Sequence, residues 1–301
     1  MTPSAPIAVE ADGLTRRYGE TVAVDRVGFR LEHGRIHGLL GRNGAGKTTL
    51  MRMLTGQEFP SSGRARLLGG EPAENADVLR HLCFVKESQR YPESFRPRHV
   101  FRVAPWYFEN WDAEFAGRLA DEFRLPLNRA IKKLSRGQLS AVGIILGLAS
   151  RAPVTFFDEP YLGLDAVARQ IFYDRLLEDF AEHPRTVVLS THLIDEIAGM
   201  LEHVLVIDRG RILLDADADD LRGRAVTVVG TAGAVDRFVA GRETIHRTGI
   251  GGLASVTVTG LDAEGRRAAT DAGLELAPVS LQQLIVHLTR ASARDFSEAP
   301  A

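Results

Sequence analysis

The sequence has 301 residues, a hydrophobic content of 45% and a formal net charge of −2. This is enough apolar chain for one large domain, or for one large and one small domain. The near-neutral charge excludes a bulk electrostatic attraction to nucleic acid or to anionic lipid. The single cysteine, Cys83, cannot form an intrachain disulfide, so the sequence gives no sign of an oxidising compartment.

Two segments bear on the relation to membranes. Residues 1–13 lack a basic start followed by an apolar run, so we do not expect a signal peptide. The most apolar segment, residues 139–150, has about a dozen residues, whereas a membrane-spanning helix needs roughly 20. We therefore predict a buried helix there and a cytoplasmic protein, with any membrane-spanning part supplied by another chain.

The first part of the chain predicts β structure around one glycine-rich loop and one helix. Strand patterns occur at 7–11, 20–31, 35–40 and 64–70, and a helix pattern at 47–56. From 96 to 149 the pattern becomes helical. Within it Phe115, Leu119 and Phe123 fall on one helix face, and the Pro after Leu125 ends that helix.

Apolar strand patterns return in the second half of the chain, at 154–157, 186–189 and 204–208. They are separated by helices rich in Leu, Ile and Phe. Continuous apolar strands that alternate with helices indicate an α/β fold with a mainly parallel sheet covered on both faces.

An acidic and then basic stretch, 214–224, predicts a boundary between a domain of residues 1–221 and one of 222–301. The second domain shows strand patterns at 225–229 and near 244, 256 and 274. Its helix patterns lie at 234–240, from 262 and at 280–290. This order is compatible with a small α+β module of the ferredoxin-like kind.

The segment GRNGAGKT, residues 41–48, fits the phosphate-loop pattern G-x-x-x-x-G-K-[ST] between a predicted strand and a predicted helix. Glycines allow the backbone N–H groups to point at a phosphate, while a lysine and a hydroxyl serve the terminal phosphates and Mg²⁺. The predicted phosphate contacts are Gly41, Asn43, Gly44, Gly46, Lys47, Thr48 and Thr49. An incidental glycine turn is the alternative, and the strand–loop–helix context disfavours it.

The segment VTFFDEP ends an apolar strand in two carboxylates, Asp158 and Glu159. Asp158 at the strand tip is suited to hold magnesium through water, and Glu159 to polarise an attacking water as general base. A further segment, LSRGQ, places Ser135 as the cap of a helix whose first N–H groups form an anion site. Taken alone, this second segment also fits a capped core helix.

Over residues 7–220 the chain resembles the ATP-binding-cassette (ABC) ATPase subunits. The resemblance depends on five motifs in the family's order: GRNGAGKT, LSRGQ (usually LSGGQ), FFDEP, GLD at 163–165 and STH at 190–192. It implies a P-loop ABC ATPase core with a mainly parallel sheet, an antiparallel β subdomain and an α-helical subdomain. It also implies that ATP and Mg²⁺ are the cofactors.

The resemblance implies roles for further residues. Tyr18 matches the aromatic side chain that stacks on adenine, and His192 matches the histidine that senses the γ-phosphate. In the family two ATPase subunits enclose two ATP molecules, so that the phosphate loop of one faces Ser135, Gly137 and Gln138 of the other. Asp165 matches the loop that links the two subunits.

One position departs from the family pattern. Where the family has a glutamine that approaches Mg²⁺ and water, the strand LCFVK is followed by Glu87, and Gln89 comes two residues later. A carboxylate is a good magnesium ligand, although it brings negative charge toward a phosphate. Glu87 is favoured because a strand end is fixed by the sheet; a rearranged loop that presents Gln89 is the alternative.

The resemblance is strongest to the exporter branch, which moves drugs, antibiotics or lipids. It implies two partners, an integral membrane permease and a second ATPase subunit, identical or related, with the protein peripheral on the inner face of the cell membrane. The aromatic segment 104–111, with Trp106 and Trp111, is predicted either to contact the permease or to pack in the core. The alternative function is a non-transport ABC ATPase that acts on ribosomes or DNA. It is disfavoured, because the chain has no coiled coil, no second cassette and no basic linker.

Overall fold

The computed structural model describes residues 6–87, 89–221 and 225–286. The contacts divide the chain into two compact units. Unit 1 comprises the residues up to His192 together with Met200–Asp215, and unit 2 comprises Leu193–Gly199 together with the residues from Ala216 on. The domain boundary at residue 221 stays a prediction.

Unit 1 contains most of the part of the chain that resembles an ATP-binding cassette. Its strands are β1 (Ile7–Tyr18), β2 (Thr21–Glu32), β3 (Ile36–Leu40), β4 (Ser62–Leu67), β5 (Leu82–Lys86), β6 (Val154–Asp158), β7 (Thr186–Thr191), β8 (His203–Asp208) and most of β9 (Arg211–Asp217). Its helices are α1 (Lys47–Leu54), α2 (Ala76–Leu79), α3 (Pro97–Val103), α4 (Ala113–Glu122), α5 (Arg136–Ala149) and α6 (Ala166–Glu182), with 3₁₀ turns at Ala104–Trp106 and Ile131–Lys133.

The main sheet of unit 1 has six strands in the order β5-β6-β7-β3-β8-β9. The pairs β5/β6, β6/β7, β3/β7 and β3/β8 are parallel. Every residue of β3, β6 and β7 is buried, as expected for central parallel strands covered on both faces. A second sheet, β2-β1-β4, is antiparallel. The predicted fold class is confirmed, with a mainly parallel sheet, an antiparallel subdomain and a helical region.

The helical region differs in detail from the sequence prediction. Helix α4 begins after Asp112, whose carboxylate accepts a hydrogen bond from the N–H of Phe115 at 2.8 Å. It ends at Glu122, before the Leu125-Pro126 pair that was expected to end it. Arg124 adopts a left-handed φ of 49° and ends the helical run first. Phe115 and Leu119 are buried as predicted, whereas Phe123 is half-buried at the C-cap.

Unit 2 also has its own core. Its helices are α7 (Ile194–Ile197), α8 (Ala218–Leu221), α9 (Ala232–Val239) and α10 (Ala263–Asp271), and its strands are β10 (Ala225–Thr231), β11 (Thr244–Ile250), β12 (Leu253–Thr259) and β13 (Glu275–Pro278). The β-α-β-β-α-β sequence from β10 to β13 and the strand order β11-β12-β10-β13 are those of a ferredoxin-like module. The predicted last helix, 280–290, is helical over 281–286, and its remainder lies outside the described residues.

Residues 139–149 lie in α5, which has 14 residues and a largely buried second half, and Ser150 is its C-cap. In the described ranges, no helix combines the length and the apolar character needed to cross a membrane.

Candidate active site

The phosphate loop connects β3 to α1, and two of its glycines have no room for a side chain. A Cβ at Gly41 would lie 2.3 Å from the carbonyl oxygen of Ile207. Gly46 caps α1 with a φ of 108°, and a Cβ there would lie 2.6 Å from the carbonyl oxygen of Ala23. These two glycines therefore let the loop pack against neighbouring backbone while α1 begins directly at Lys47.

A cavity of about 530 Å³ opens above this loop. Loop residues form one part of its lining, and residues from four other segments form the rest. The lining residues are Ala23, Asn43, Gly44, Ala45, Gly46, Lys47, Thr48, Thr49, Glu87, Glu159, Leu162 and His192. The structure thus brings together most of the predicted phosphate contacts with three of the predicted catalytic or metal residues.

The ammonium group of Lys47 is held at the base of the cavity. Its Nζ donates to the carbonyl oxygens of Gly41 at 2.8 Å and Arg42 at 3.3 Å, and lies 3.2 Å from Oε1 of Glu159. The Lys47 side chain is only 5% exposed. A lysine held in this way presents a fixed positive charge to whatever occupies the cavity.

Glu159 lies where β6 ends, in a conformation that its neighbours impose. Its φ is 47°, in the left-handed region, and its N–H donates to Ser190, to the carbonyl oxygen at 3.3 Å and to Oγ at 3.2 Å. Its second carboxylate oxygen, Oε2, lies 3.0 Å from Nδ1 of His192. The carboxylate is therefore held between Lys47 and His192.

Asp158 precedes Glu159 but lies behind the cavity wall. It is 3% exposed, and its Oδ1 accepts a hydrogen bond from the Ser190 hydroxyl at 2.6 Å. Asp158 and Ser190 are register partners on β6 and β7. Ser190 thus orients Asp158 and Glu159 together.

Tyr161 is a site residue that the sequence analysis missed. Its hydroxyl accepts hydrogen bonds from the Thr191 hydroxyl at 2.7 Å and from the N–H of His192 at 3.1 Å. It also lies 3.2 Å from Nδ1 of His192. The only sequence signal is its position directly after Asp158-Glu159-Pro160, because its partners come 30 and 31 residues later.

Tyr18 does not line the cavity. It is 44% exposed, its hydroxyl donates to Glu58, and the guanidinium of Arg16 lies 4.8 Å from its ring centroid. Arg16 also donates to Glu58 at 2.8 Å. The ring is thereby held at the surface.

The LSRGQ residues lie outside the cavity lining as well. Ser135 caps α5: its hydroxyl accepts from the N–H of Gln138 at 3.2 Å, and the Gln138 side chain accepts from the N–H of Ser135 at 3.1 Å. Gly137 is needed for packing, because a Cβ there would lie 2.5 Å from the carbonyl oxygen of Gly163. Asp165 caps α6 through a 2.8 Å hydrogen bond from Ala168.

Of the two candidates for the family's glutamine position, Glu87 lines the cavity and Gln89 does not. Glu87 forms an ion pair with Arg136, with Nη2 2.5 Å from Oε1. The side-chain oxygen of Gln89 is buried without a hydrogen-bond partner. This geometry favours Glu87 over Gln89.

Comparisons with known proteins bear on the family of this chain. Residues 24–162 match the family model described as "ABC transporter". A "Putative ABC transporter ATP-binding protein AlbC" from Bacillus subtilis is 32% identical over 70% of this chain and 93% of its own length. The chain belongs to the family of ABC transporter ATP-binding proteins. It is an ATPase subunit of that family.

Two further comparisons extend this result. A "Nod factor export ATP-binding protein I" from Ralstonia nicotianae is 31% identical over 72% of this chain and 69% of its own length. A solved "ATP binding subunit of ABC transporter" is 26% identical, with a TM-score of 0.64 over 71% of this chain and 91% of its own. These relatives favour an ABC transporter subunit over an ATPase that acts on ribosomes or DNA.

Proposed function

We propose that this ABC ATPase hydrolyses Mg-ATP to drive export through a separate integral membrane permease, with no nucleic acid as partner. The observation that carries the ATPase part is the cavity in which the phosphate loop, Lys47, Glu159 and His192 meet. The direction of transport is supported by the name of one relative, the Nod factor export protein.

ATP is proposed to lie with its phosphates on the loop Gly41–Thr49 and its adenine on Tyr18. The oxygen donors near the terminal phosphates fit Mg²⁺, which prefers one or two protein oxygens beside phosphate oxygens and water. Thr48 and Glu87 line the cavity, and Asp158 lies behind its wall with Oδ1 hydrogen-bonded to the Ser190 hydroxyl. When bound, Mg²⁺ neutralises charge on the β- and γ-phosphates.

Glu159 is proposed to accept the proton of the attacking water. Its carboxylate is fixed by Lys47 and His192 at 3.2 and 3.0 Å, so it needs little reorganisation to meet a water in the cavity. Lys47 faces the β- and γ-phosphates, and His192 stabilises charge on the phosphoryl group as it transfers. Tyr161 orients His192 through its backbone N–H and its ring.

The residues Ser135, Gly137 and Gln138 are proposed to bind the ATP held by a second copy of this chain. They lie outside the cavity of their own chain, at the start of α5, where the positive end of the helix dipole favours an anion. Since one chain carries both a phosphate loop and an LSRGQ segment, two copies suffice to complete two sites. Asp165 would lie at the junction between the copies.

The permease contact is proposed at the aromatic segment 104–111. Trp106 is 79% exposed and Tyr107 is 69% exposed, while Trp111 stacks on Phe101 with ring centroids 6.1 Å apart. Large exposed aromatic side chains side by side are typical of a protein interface. This contact would place the protein on the inner face of the membrane. We also propose that the cassette ends near residue 221, where unit 2 continues as an accessory domain.

An affinity pull-down tests the transport part. A tagged Glu159→Gln protein is incubated with ATP and detergent-solubilised membranes, and the captured chains are identified by mass spectrometry. We expect to recover a polytopic membrane protein, and to recover less of it when Trp106→Ala is added to the tagged protein. The Glu114→Gln protein is the matched control, because Glu114 lies on the exposed surface of α4. Recovery of ribosomal or DNA-bound proteins without a membrane chain would contradict the proposal.

A further inference from the structure

Two departures from the family's motifs meet in space. The family's usual LSGGQ has a glycine where this chain has Arg136, and its glutamine position holds Glu87. The two residues are 49 positions apart in the sequence, yet Nη2 of Arg136 lies 2.5 Å from Oε1 of Glu87. The two replaced residues therefore form one ion pair with each other.

The ion pair has one member inside the nucleotide cavity and one outside. Glu87 lines the cavity together with the phosphate loop, and Arg136 does not. Among the described residues, the acidic and basic side chains that line this cavity are Lys47, Glu87, Glu159 and His192, and His192 contacts Glu159. Lys47 is paired with Glu159, so without Arg136 the Glu87 carboxylate would face the nucleotide phosphates with no cation of its own.

Both ends of the pair are positioned by secondary structure. Glu87 directly follows β5, and Arg136 is the first residue of α5 after the Ser135 cap. The stem of Arg136 passes close to Gly163, because a Cβ at Gly163 would lie 2.8 Å from Arg136 Cγ. The close contact limits the directions that the guanidinium can take, even though the side chain is 65% exposed.

We infer that Arg136 is a positioning residue that holds the Glu87 carboxylate at the cavity wall and neutralises it, so that a carboxylate can stand where the family has an amide. The inference rests on the proposed nucleotide site. Like charges repel across the cavity unless a cation offsets one of them. An arginine one residue after the Ser135 cap provides that cation without entering the phosphate site.

A double-mutant cycle tests this inference. The proteins are the wild type, Arg136→Gln, Glu87→Gln and the double variant, and the readout is the Kd for a non-hydrolysable Mg-ATP analogue. In the wild-type background, Arg136→Gln is expected to weaken binding about three- to tenfold, because it leaves Glu87 unneutralised near the phosphates. In the Glu87→Gln background the same substitution is expected to change the Kd less than about twofold.

Two controls separate this role from a general loss of charge. Arg118→Gln removes a similarly exposed arginine, paired with Glu114 on α4, and is expected to leave the Kd unchanged. Raising the salt concentration to about 0.5 M is expected to shrink the effect of Arg136→Gln, because exposed charges are screened. If Arg136→Gln does not fold, as judged by its thermal melt, Arg136→Lys replaces it. Arg136→Lys is then measured in both Glu87 and Glu87→Gln backgrounds, and an equal Kd change in the two overturns the inference.

An equal loss in both backgrounds, or no loss in either, overturns the inference. ATP turnover of the wild type is measured on the same preparations. Wild-type protein that binds the analogue with the expected cycle but never releases phosphate would contradict the proposed function and leave the inference standing. If the wild type turns over ATP but Arg136→Gln changes the Kd equally in both backgrounds, the proposed function stands and the inference is contradicted.

Discussion

Two ion pairs at the nucleotide cavity differ sharply in burial. The side chains of Lys47 and Glu159 are 5% and 11% exposed, whereas those of Arg136 and Glu87 are 65% and 44% exposed. A buried pair is costly to break, because the remaining charge is left without a partner or water. An exposed pair contributes little to stability and exchanges readily for water or a ligand.

The difference follows from where the residues lie in the fold. Lys47 begins the helix after central strand β3, and Glu159 follows central strand β6, so the main sheet fixes both. Glu87 follows β5 at the edge of the sheet, and Arg136 begins α5 in the helical region. The Lys47–Glu159 pair is thus preorganised by the sheet, whereas the Arg136–Glu87 pair at its edge is exposed.

The largest expected effect is on the buried side. Glu159→Gln removes the proposed general base while keeping the shape of the side chain, and should lower ATP turnover by about 10²-fold or more. Phosphate release from Mg-ATP measures this, with Glu114→Gln as the control. Turnover of Glu159→Gln equal to that of the wild type would remove Glu159 from its role and weaken the contrast between the two pairs.

The next effect concerns His37, which is buried near the start of β3, the strand that precedes the phosphate loop. Its Nε2–H donates to the carbonyl oxygen of Glu32 at 2.9 Å, and Nδ1 has no partner. Burial, aided by the nearby His203 ring, lowers the pKa of His37 from 6.5 to about 4. The folded state therefore keeps the neutral ring, while the unfolded state takes up a proton below pH 6.5.

This difference in protonation fixes the direction in which stability changes with pH. The stability that depends on a neutral His37 is fully present above pH 6.5. As the pH falls toward 4, the unfolded state takes up a proton that the folded state does not, and the free energy of unfolding decreases by about 3 kcal/mol over that window. Urea unfolding between pH 7 and pH 4.5 measures it. In a His37→Gln protein the free energy of unfolding should depend less on pH. If its dependence on pH is the same as in the wild type, other groups cause the acid sensitivity.

A smaller effect is expected at Ser190, which hydrogen-bonds the Asp158 carboxylate and the N–H of Glu159. Ser190→Ala leaves Asp158 Oδ1 and the N–H of Glu159 each with one hydrogen bond fewer, at a cost of about 1 to 3 kcal/mol in the free energy of unfolding. Turnover should fall as well. Ser140→Ala is a comparison variant. The Ser140 hydroxyl, on α5, also donates to a distant segment, to the carbonyl oxygen of Leu162 at 2.6 Å. A turnover loss for Ser140→Ala as large as that for Ser190→Ala would contradict a specific role for Ser190.

The smallest effect is expected for the exposed pair. Arg136→Gln should change the free energy of unfolding by less than about 1 kcal/mol, because exposed ion pairs are solvated in either state. Urea melts at pH 7 measure this beside the nucleotide Kd. A larger loss of stability would mean that Arg136 is a structural residue, and the contrast between the two pairs would disappear.

The sequence predicted the parts of the site that depend on local spacing. The loop Gly41–Thr48 could be predicted because its glycines, lysine and hydroxyl occur within one strand–turn–helix unit. The apolar runs of β6 and β7 predicted buried strands, and so placed Glu159 and His192 at strand ends. The βαββαβ order of unit 2 could be inferred, but its strand order β11-β12-β10-β13 depends on pairing that no local pattern contains.

The remaining features depend on contacts between distant segments. Tyr161 meets Thr191 and His192 only because β6 and β7 are neighbours in the sheet. The Arg136–Glu87 pair requires α5 to begin beside the end of β5. The end of α4 was predicted wrongly because the left-handed conformation of Arg124 has no signature in a sequence that continues to Leu125-Pro126.

The most direct test of the account is to mix two defective proteins. Lys47→Gln disables the phosphate loop, and Ser135→Arg blocks the LSRGQ segment; circular dichroism checks that both fold. If each site is built from two copies, a 1:1 mixture should recover about a quarter of wild-type ATP turnover, since half of the dimers carry one intact site. A mixture that stays at the level of the separate variants would contradict a site shared between two copies of this chain.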